Sequence, residues 1–309
     1  MARILTLTLN PALDLTLRLP ALRLGEVNRS EALNLQAAGK GLNVAQVLGD
    51  LGHQLTVSGF LGGANPQAFE ALFAARHFID RFIRVPGQTR SNIKLAEAGG
   101  RVTDVNGPGL QIPATARDRL LEELPGLLTG QDAVVVAGSL PQGFGLVDFA
   151  ELLARIKASG VPLVLDTSGA ALREGLRAQP WLAKPNETEL AEIGSGGPWM
   201  EQARALQAAG VTHLVVSRGA EGVAWFAPDG LWQATPPPVP VVSTVGAGDS
   251  LVAGLLHGLL EGWPAERTLR QATAIAAQAV GQIAFGITDP DALRQLQSQV
   301  RIEAPAQNK

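Results

Sequence analysis

An aspartate follows a glycine-rich turn in the segment Ser243–Ser250, which reads Ser-Thr-Val-Gly-Ala-Gly-Asp-Ser. Apolar residues then recur at helical spacing between Leu251 and Leu259, so the turn is predicted to open a helix. The free N–H groups and the positive dipole end of a helix start attract anions, and glycines let the backbone approach them closely. The pattern predicts a phosphate site around Asp249, whose carboxylate is either a base in the reaction or an ordinary helix cap.

The standard nucleotide motifs do not account for these glycines. Leu251 stands where the dinucleotide motif Gly-x-Gly-x-x-Gly requires its third glycine. The other candidate, Gly39-Lys40, has Asn34 where a P-loop requires glycine and Gly41 where it requires serine or threonine. An NAD-dependent oxidoreductase is set aside for the same reason, because an α/β pattern alone does not determine function.

Two cations and an amide alternate with apolar residues in a predicted strand. Arg90, Asn92 and Lys94 share one face of it in period two, and Gly99-Gly100 provides a turn into Arg101–Asn106. Leu13, Leu15, Leu17 and Leu19 alternate with polar residues in the same way. Such half-exposed strands, from about 12–35 and 88–107, predict a small sheet that serves as a lid or a dimer contact. The spacing alone favours a solvated polar face over an anion site.

The remaining pattern is that of an α/β fold. An apolar strand at Ala133–Ala137 precedes an apolar-periodic helix at Leu146–Ala158 and a second strand at Val161–Leu165. Continuous apolar strands are typical of a parallel sheet covered by helices on both faces, with ligands at the carboxyl ends of the strands. Gly138-Ser139 and Asp166 stand at such ends.

Composition excludes several classes of function. The 309 residues contain 25 Lys and Arg against 28 Asp and Glu, so a net charge of -3 gives no attraction for nucleic acid. Cysteine is absent, which is consistent with a cytoplasmic protein. His53, His77, His213 and His257 show no zinc spacing, and we expect packing or surface roles for them. No apolar stretch reaches the roughly 20 residues of a membrane span.

These segments together resemble the PfkB carbohydrate kinases of the ribokinase superfamily. The early family signature corresponds to Gly39–Ala45, which reads Gly-Lys-Gly-Leu-Asn-Val-Ala, and the late one to Ser243–Ser250. The resemblance covers nearly the whole chain. It implies one ribokinase-like domain over residues 1–309, a three-layer α/β sandwich with a mainly parallel central sheet and a small β-sheet lid.

Within the family, four further segments look most like those of the 1-phosphofructokinases. They are Thr6–Asp14, Thr89–Leu95, Val102–Asp104 and Gly138–Pro141. Lys40 narrows the substrate further, because related 6-phosphofructokinases often carry glycine there, whereas 1-phosphofructokinases and tagatose-6-phosphate kinases carry lysine. The implied reaction is ATP-dependent phosphorylation of fructose 1-phosphate at its 6-hydroxyl. The alternatives are 6-phosphofructokinase or tagatose-6-phosphate kinase activity and, outside enzymes, a sugar-phosphate sensor.

The resemblance also implies roles for individual residues. Asp249 would be the general base, and the backbone amides of Gly246, Ala247 and Gly248 would stabilise the transferring phosphoryl group. The helix dipole would keep Asp249 ionised and so make it a weak base, which a loose transition state tolerates. The implied substrate-binding residues are Asp14, Gly39 and Asn43 for the sugar hydroxyls, with Lys40, Arg90, Asn92, Lys94 and Ser139 on the lid side and around the phosphate already present.

Nucleotide and metal sites are implied in the same way. The ATP-binding residues would be Lys184, Asn186, Ser217, Arg218, Gly219, Ala220, Glu221 and Gly222, with Gly248 and Asp249. Asn186 and Glu189 would organise Mg²⁺ through water, with Asp166 in the same network, although from the residues alone the first two form a helix-capping pair. The region from Gly281 to Thr288 would border adenine and a K⁺ site. A homodimer through the lid would cover its leucines.

Overall fold

Fourteen strands and ten α-helices form within residues 1–194 and 196–305, the part of the chain that this computed structural model describes. The strands are β1 Arg3–Thr8, β2 Ala12–Leu19, β3 Ala32–Ala38, β4 Gln54–Gly62, β5 Ile79–Val85, β6 Ser91–Glu97, β7 Val102–Asn106, β8 Ala133–Ala137, β9 Leu163–Asp166, β10 Leu182–Ala183, β11 His213–Ser217, β12 Val223–Ala227, β13 Gly230–Thr235 and β14 Arg301–Glu303. The helices are α1 Lys40–Asp50, α2 Gln67–Arg76, α3 Ala114–Leu128, α4 Leu146–Ser159, α5 Gly169–Arg177, α6 Glu187–Ile193, α7 Trp199–Ala208, α8 Ala247–Leu260, α9 Ala265–Val280 and α10 Pro290–Gln299.

Ten of the strands form one twisted sheet in the order β14-β13-β12-β11-β10-β9-β8-β1-β4-β5. The strands from β11 to β5 in this order are parallel, and β12, β13 and β14 extend the sheet in antiparallel pairs. The predicted mainly parallel sheet is therefore confirmed. It aligns the carboxyl ends of seven strands along one edge, which is where parallel sheets bind ligands.

Strand β8 shows why helices cover both faces. Ala133, Val135 and Ala137 belong to a core cluster with α1, α2, α8, α9 and α10, whereas Val134 and Val136 belong to a second cluster with α3 to α7. Successive strand residues point to opposite faces, so a continuous apolar strand needs an apolar partner on each side. Burying each valine contributes roughly 1.5–3 kcal/mol. The result is the predicted three-layer sandwich.

The remaining four strands form a second, smaller sheet in the order β3-β2-β6-β7, which we call the lid. Strands β6 and β7 form the predicted hairpin, and Asp14 of β2 pairs in register with Asn92 of β6. One face of the lid is therefore polar and the other apolar. Leu13 was expected to be exposed on the apolar face, but it is 8% exposed and packs into the main core because it lies at the base of β2. Leu33 of β3 is 62% exposed instead.

The expected packing role is confirmed for His53 and His257, which are buried at the amino ends of β1 and β4 and form a hydrogen-bonded pair. The backbone N–H of Ala2 donates to His53 Nδ1, so the Nε2 proton of a neutral His53 donates to His257 Nδ1 at 2.8 Å. Glu261 lies close enough to form a three-residue cluster with them. A metal bound to His53 Nε2 would leave the ring proton on Nδ1. Nδ1 could then no longer accept the hydrogen bond from the Ala2 N–H, and two donors would face each other. The cluster therefore acts as a hydrogen-bond relay.

No helix in the described ranges combines the length and the apolar character that a membrane crossing requires.

Candidate active site

A cavity of about 450 Å³ separates the polar face of the lid from the carboxyl ends of the central strands. The structure brings most of the predicted site residues into its walls. They are Asp14, Gly39, Lys40, Asn43, Arg90, Asn92, Lys94, Lys184, Asn186, Glu189, Ser217, Gly246, Gly248 and Asp249. These residues come from six separate segments of the chain, and the fold brings them together between the lid and the carboxyl ends of the central strands.

Asp249 lies in the first turn of α8, and its side chain does not cap that helix. Gly246 is the N-terminal cap with φ 83°, and a Cβ there would lie 2.9 Å from the Phe285 ring, so the turn requires glycine. The Asp249 carboxylate instead accepts hydrogen bonds from Asn43 Nδ2 at 2.8 Å and Lys40 Nζ at 3.2 Å. It is 4% exposed. The packing of α1 against α8 thus aims Asp249 into the cavity.

Alternating charges surround this carboxylate. Lys40 Nζ also lies 3.1 Å from Asp166 Oδ2, and Lys184 Nζ lies 3.3 Å from Asp166 Oδ1. The sequence predicted Lys40 as a contact of the sugar phosphate, but here its ammonium is paired with two carboxylates. Burial alone would lower the pKa of Lys40, yet Asp166 and Asp249 outweigh it and raise the pKa, so Lys40 remains charged.

The two carboxylates of this chain of charges differ in pKa. Burial raises the pKa of Asp249, and Lys40 and Asn43 only partly oppose the effect. Burial would also raise the pKa of Asp166, but its two lysine partners lower that pKa below the ordinary value. Burial thus acts against the helix dipole, which we expected to make Asp249 a weak base, and it strengthens this carboxylate as a base.

On the lid side, Asp14 is held by two neighbours on the adjacent strand. It accepts a hydrogen bond from Asn92 Nδ2 at 3.1 Å and forms a salt bridge with Lys94. The parallel register of β2 and β6 places Asn92 directly opposite Asp14, and Lys94 two residues further along the same face. The charges of Asp14 and Lys94 thus compensate each other.

Arg90 is different, because its guanidinium contacts only carbonyl oxygens among the described residues. Its Nη2 donates to Asn10 O at 3.2 Å and its Nε to Pro11 O at 3.4 Å, and it forms no salt bridge in residues 1–194 and 196–305. Burial lowers its pKa, with Asp14 opposing the effect weakly. A half-buried cation without a carboxylate partner, at the edge of a polar cavity, is suited to bind an anion.

Three polar residues that line the first cavity were not among the predicted site residues. Asp104 and Asn106 of β7 lie opposite Lys94 and Asn92 in register, and Thr244 precedes the glycine turn. The period-two pattern that singled out Arg90, Asn92 and Lys94 continues across the hairpin turn and would have identified the first two.

A second cavity of about 660 Å³ adjoins the first, and Ser217, Thr244 and Gly248 line both. Gly219, Ala220 and Gly222, which were predicted to bind the nucleotide, also line it, as does Ala247 of the glycine turn. The rest of its described lining is mainly aliphatic and contains no aromatic side chain; it includes Val223, Val239, Val241, Leu251, Ala276 and Val280. Such a surface suits a flat apolar ring.

Four predicted residues lie outside the walls of both cavities. Asp166 is below the first cavity, between the two lysines. Ser139 Oγ accepts a hydrogen bond from Asn10 Nδ2 at 3.0 Å. Arg218 and Glu221 are paired with each other, behind the second cavity. Contact of these four with a ligand would have to come from rearrangement or from the backbone.

Asn186 and Glu189 form the helix-capping pair that their spacing allows. Asn186 Oδ1 accepts from the Glu189 N–H at 2.7 Å, and Glu189 Oε2 accepts from the Asn186 N–H at 2.9 Å. Both residues also line the first cavity. The second oxygen of the Glu189 carboxylate makes no hydrogen bond to the described residues, so it fits a water ligand of Mg²⁺, which keeps much of its hydration in proteins. Capping and metal binding are compatible.

Comparison with known proteins identifies the family of this chain. Residues 7–292 match the pfkB family carbohydrate kinase pattern. The 1-phosphofructokinase of Escherichia coli strain K12 is 45% identical over 307 residues, which cover 97% of this chain and 98% of that protein. Phosphofructokinase-2 from E. coli in complex with potassium has a TM-score of 0.88 at 28% identity, covering 97% of this chain and 99% of that one. The tetrameric inhibited form of the same enzyme has a TM-score of 0.87 at 28% identity, with the same coverage. The chain belongs to the pfkB family of carbohydrate kinases.

Proposed function

We propose that this protein phosphorylates D-fructose 1-phosphate at its 6-hydroxyl with ATP, giving fructose 1,6-bisphosphate and ADP. The observation that carries the proposal is the first cavity itself, which combines a buried carboxylate of raised pKa with a guanidinium that has no carboxylate partner among the described residues. The first is suited to activate a hydroxyl group, and the second to bind a substrate that already carries a phosphate. The 45% identity to a 1-phosphofructokinase supports the choice of sugar phosphate.

Phosphoryl transfer would take place at the first turn of α8. Asp249 accepts the proton of the sugar 6-hydroxyl while the hydroxyl oxygen forms a bond to the γ-phosphorus of ATP. The bond from that phosphorus to the bridging oxygen of the β-phosphate breaks, and ADP leaves. The backbone N–H groups of Gly246, Ala247 and Gly248 stabilise the charge on the transferring group, and Lys40 compensates the charge of Asp249.

The lid would hold the sugar. Arg90 binds the 1-phosphate, with Lys94 in support, and Asp14 accepts hydrogen bonds from sugar hydroxyls while Asn92 and Lys94 keep its carboxylate in place. Gly39 and Asn43 complete the sugar pocket from the start of α1. Asp104 and Asn106 lie on the same polar face.

ATP would occupy the second cavity, with its phosphates toward Lys184, Gly248 and Ser217, where the two cavities meet. Glu189 and Asn186 would hold Mg²⁺ through water molecules. When bound there, the ion would neutralise charge that develops on the phosphate oxygens. A K⁺ site near residues 281–288 stays a prediction for this chain.

The apolar face of the lid would form a homodimer. Leu15, Leu17, Ile93 and Leu95 are half-buried there, and Leu35 and Val105, which lie opposite Leu15 and Ile93 in register, are 49% and 53% exposed. An apolar surface of this kind on a sheet is typically covered by a partner. A mass of 32.3 kDa by light scattering at micromolar concentration would contradict this part of the proposal.

The test is ATP turnover with Mg²⁺ at matched low concentrations of fructose 1-phosphate, fructose 6-phosphate and tagatose 6-phosphate. We expect kcat/KM for fructose 1-phosphate to exceed the others by at least about a hundredfold, because a phosphate placed elsewhere leaves Arg90 without its anion. A preference for either 6-phosphate would overturn the substrate but retain the kinase. Binding of sugar phosphate without turnover of any of the three would instead indicate a sensor.

A further inference from the structure

Arg218 directly follows Ser217, which lines both cavities, but Arg218 itself lines neither of them. Its Nε donates to Glu187 Oε1 at 2.8 Å, and its Nη2 donates to the Glu221 carboxylate. The guanidinium carbon lies 4.9 Å from the centre of the Trp199 ring. Predicted as an ATP contact, Arg218 is instead held by two carboxylates and an indole.

The partners of Arg218 belong to three different elements. Glu187 is the first residue of α6, directly after Asn186, and Trp199 is the first residue of α7. Glu221 ends the short 3-10 turn Gly219–Glu221, whose Gly219 and Ala220 line the second cavity. One side chain therefore connects the nucleotide turn to the helix that carries the proposed Mg²⁺ residues.

Three backbone hydrogen bonds close the nucleotide turn on itself: Arg218 N–H to Gly222 O at 2.8 Å, Glu221 N–H to Arg218 O at 3.1 Å and Gly222 N–H to Gly219 O at 3.1 Å. These bonds shape the turn but do not fix its position against α6, and the glycines at its two ends, with φ 57° at Gly219 and 103° at Gly222, leave the turn free to reorient. The backbone next to the turn is joined to the segment before α6 by the hydrogen bond from Ser217 N–H to Pro185 O at 3.1 Å. Exposed ion pairs contribute little, but the Arg218 side chain is only 21% exposed and its planar group contacts three partners together.

We propose that Arg218 is a positioning residue that presets the Gly219–Gly222 turn against α6 before ATP binds. The inference rests on the proposed function, because it places ATP in the second cavity. Without Arg218 the turn must be ordered at the expense of binding energy, and we expect the affinity for ATP to fall about tenfold. The affinity for the sugar phosphate and kcat at saturating ATP should change less than twofold, because Arg218 touches neither the sugar pocket nor Asp249.

The experiment compares Arg218→Leu and Arg218→Lys with Arg119→Leu, which removes a similar ion pair, to Glu123, on the exposed face of α3. The dissociation constant of Mg-ATP is measured by calorimetry without sugar, and KM and kcat are measured with fructose 1-phosphate. We expect about tenfold weaker ATP binding in Arg218→Leu, an intermediate value in Arg218→Lys, which keeps the charge but not the planar fork, and no change in Arg119→Leu.

Three outcomes would overturn the inference: ATP binding within twofold of the wild type, an equal change in both KM values and kcat, or the same loss in Arg119→Leu. Glu187→Gln removes the same contact from the other side, so it decides the matter if Arg218→Leu does not fold. Wild-type protein that binds ATP but does not phosphorylate any sugar phosphate would overturn the proposed function, while the ratio of ATP dissociation constants would still test the role of Arg218.

Discussion

The two ends of the central sheet each bury a polar cluster, and the two clusters are built on opposite electrostatic principles. At the carboxyl ends of the strands, Lys40, Asp166, Lys184 and Asp249 alternate in charge and adjoin an open cavity. At the amino ends, His53 and His257 share a hydrogen bond in a neutral relay that begins at the Ala2 N–H. Helices α1 and α8 contribute to the first cluster, and α8 extends to the second.

Burial favours the uncharged forms at both ends, and the difference lies in whether neighbouring opposite charges outweigh it. Burial lowers the pKa of His53 to about 4, with the neighbouring His257 adding to the effect, so the relay is neutral at pH 7. At the carboxyl end, burial alone would favour the uncharged forms of Lys40 and Asp166. Only the alternation of lysine and aspartate keeps these two groups ionised. Maintaining such charges costs desolvation energy, which a stable fold alone does not need. We infer that the carboxyl-end cluster is retained for chemistry and the amino-end cluster for stability.

The largest expected effect is on activity at the carboxyl end. Asp249→Asn keeps the shape of the side chain and its place beside Asn43, but it removes the proposed base, so kcat should fall by roughly 10²–10⁴-fold. The unfolding temperature should stay close to that of the wild type, because Lys40 retains Asp166 as a partner. Steady-state kinetics and thermal unfolding measure the two effects. Asp118→Asn, on the exposed side of α3, is the control and should change neither quantity.

A smaller effect is expected at the amino end, and on stability instead of activity. His257→Phe retains an aromatic ring against Trp263 but leaves the Nε2 proton of His53 buried without an acceptor. This should lower the free energy of unfolding by about 1–3 kcal/mol, measured by urea denaturation, with kcat unchanged. His77→Asn is the matched control, because His77 is exposed with φ 54° and asparagine tolerates that conformation. A lower kcat in a His257→Phe variant that still folds would contradict this prediction, because it would show that the amino-end pair affects the active site.

The smallest expected effect is the response of stability to mild acid. Burial lowers the folded-state pKa values of His53 and His213 to about 4, below the ordinary value of 6.5. As pH falls below 6.5 the unfolded chain takes up protons that the folded state refuses, so stability decreases with falling pH until about pH 4. Between pH 7 and pH 6, each of these two histidines should lower the free energy of unfolding by less than about 1.4 kcal/mol. His213→Phe should make the pH dependence of the urea midpoint less steep; an unchanged slope would contradict the assignment.

Periodicity predicted the elements well but could not predict which distant residues meet. The strand Ala133–Ala137 and the helix after Gly145 lie within a residue or two of their predicted positions, because each depends on local apolar spacing. The contacts of Asp249 with Lys40 and Asn43 join residues more than 200 positions apart, as does the pair His53 and His257. Only the resemblance to a family brought the first set together, and no resemblance pointed to the second.

The most direct test of the central claim is hydrogen exchange with and without ligands. Fructose 1-phosphate together with a non-hydrolysable ATP analogue should slow amide exchange in peptides that cover the lid strands β2, β6 and β7 and the turn Ser243–Asp249. Peptides that cover the amino-end relay, around His53 and from His257 to Trp263, should exchange at the same rate in both samples. Protection at the relay, or none at the lid and the turn, would contradict the assignment of chemistry to one end of the sheet and stability to the other.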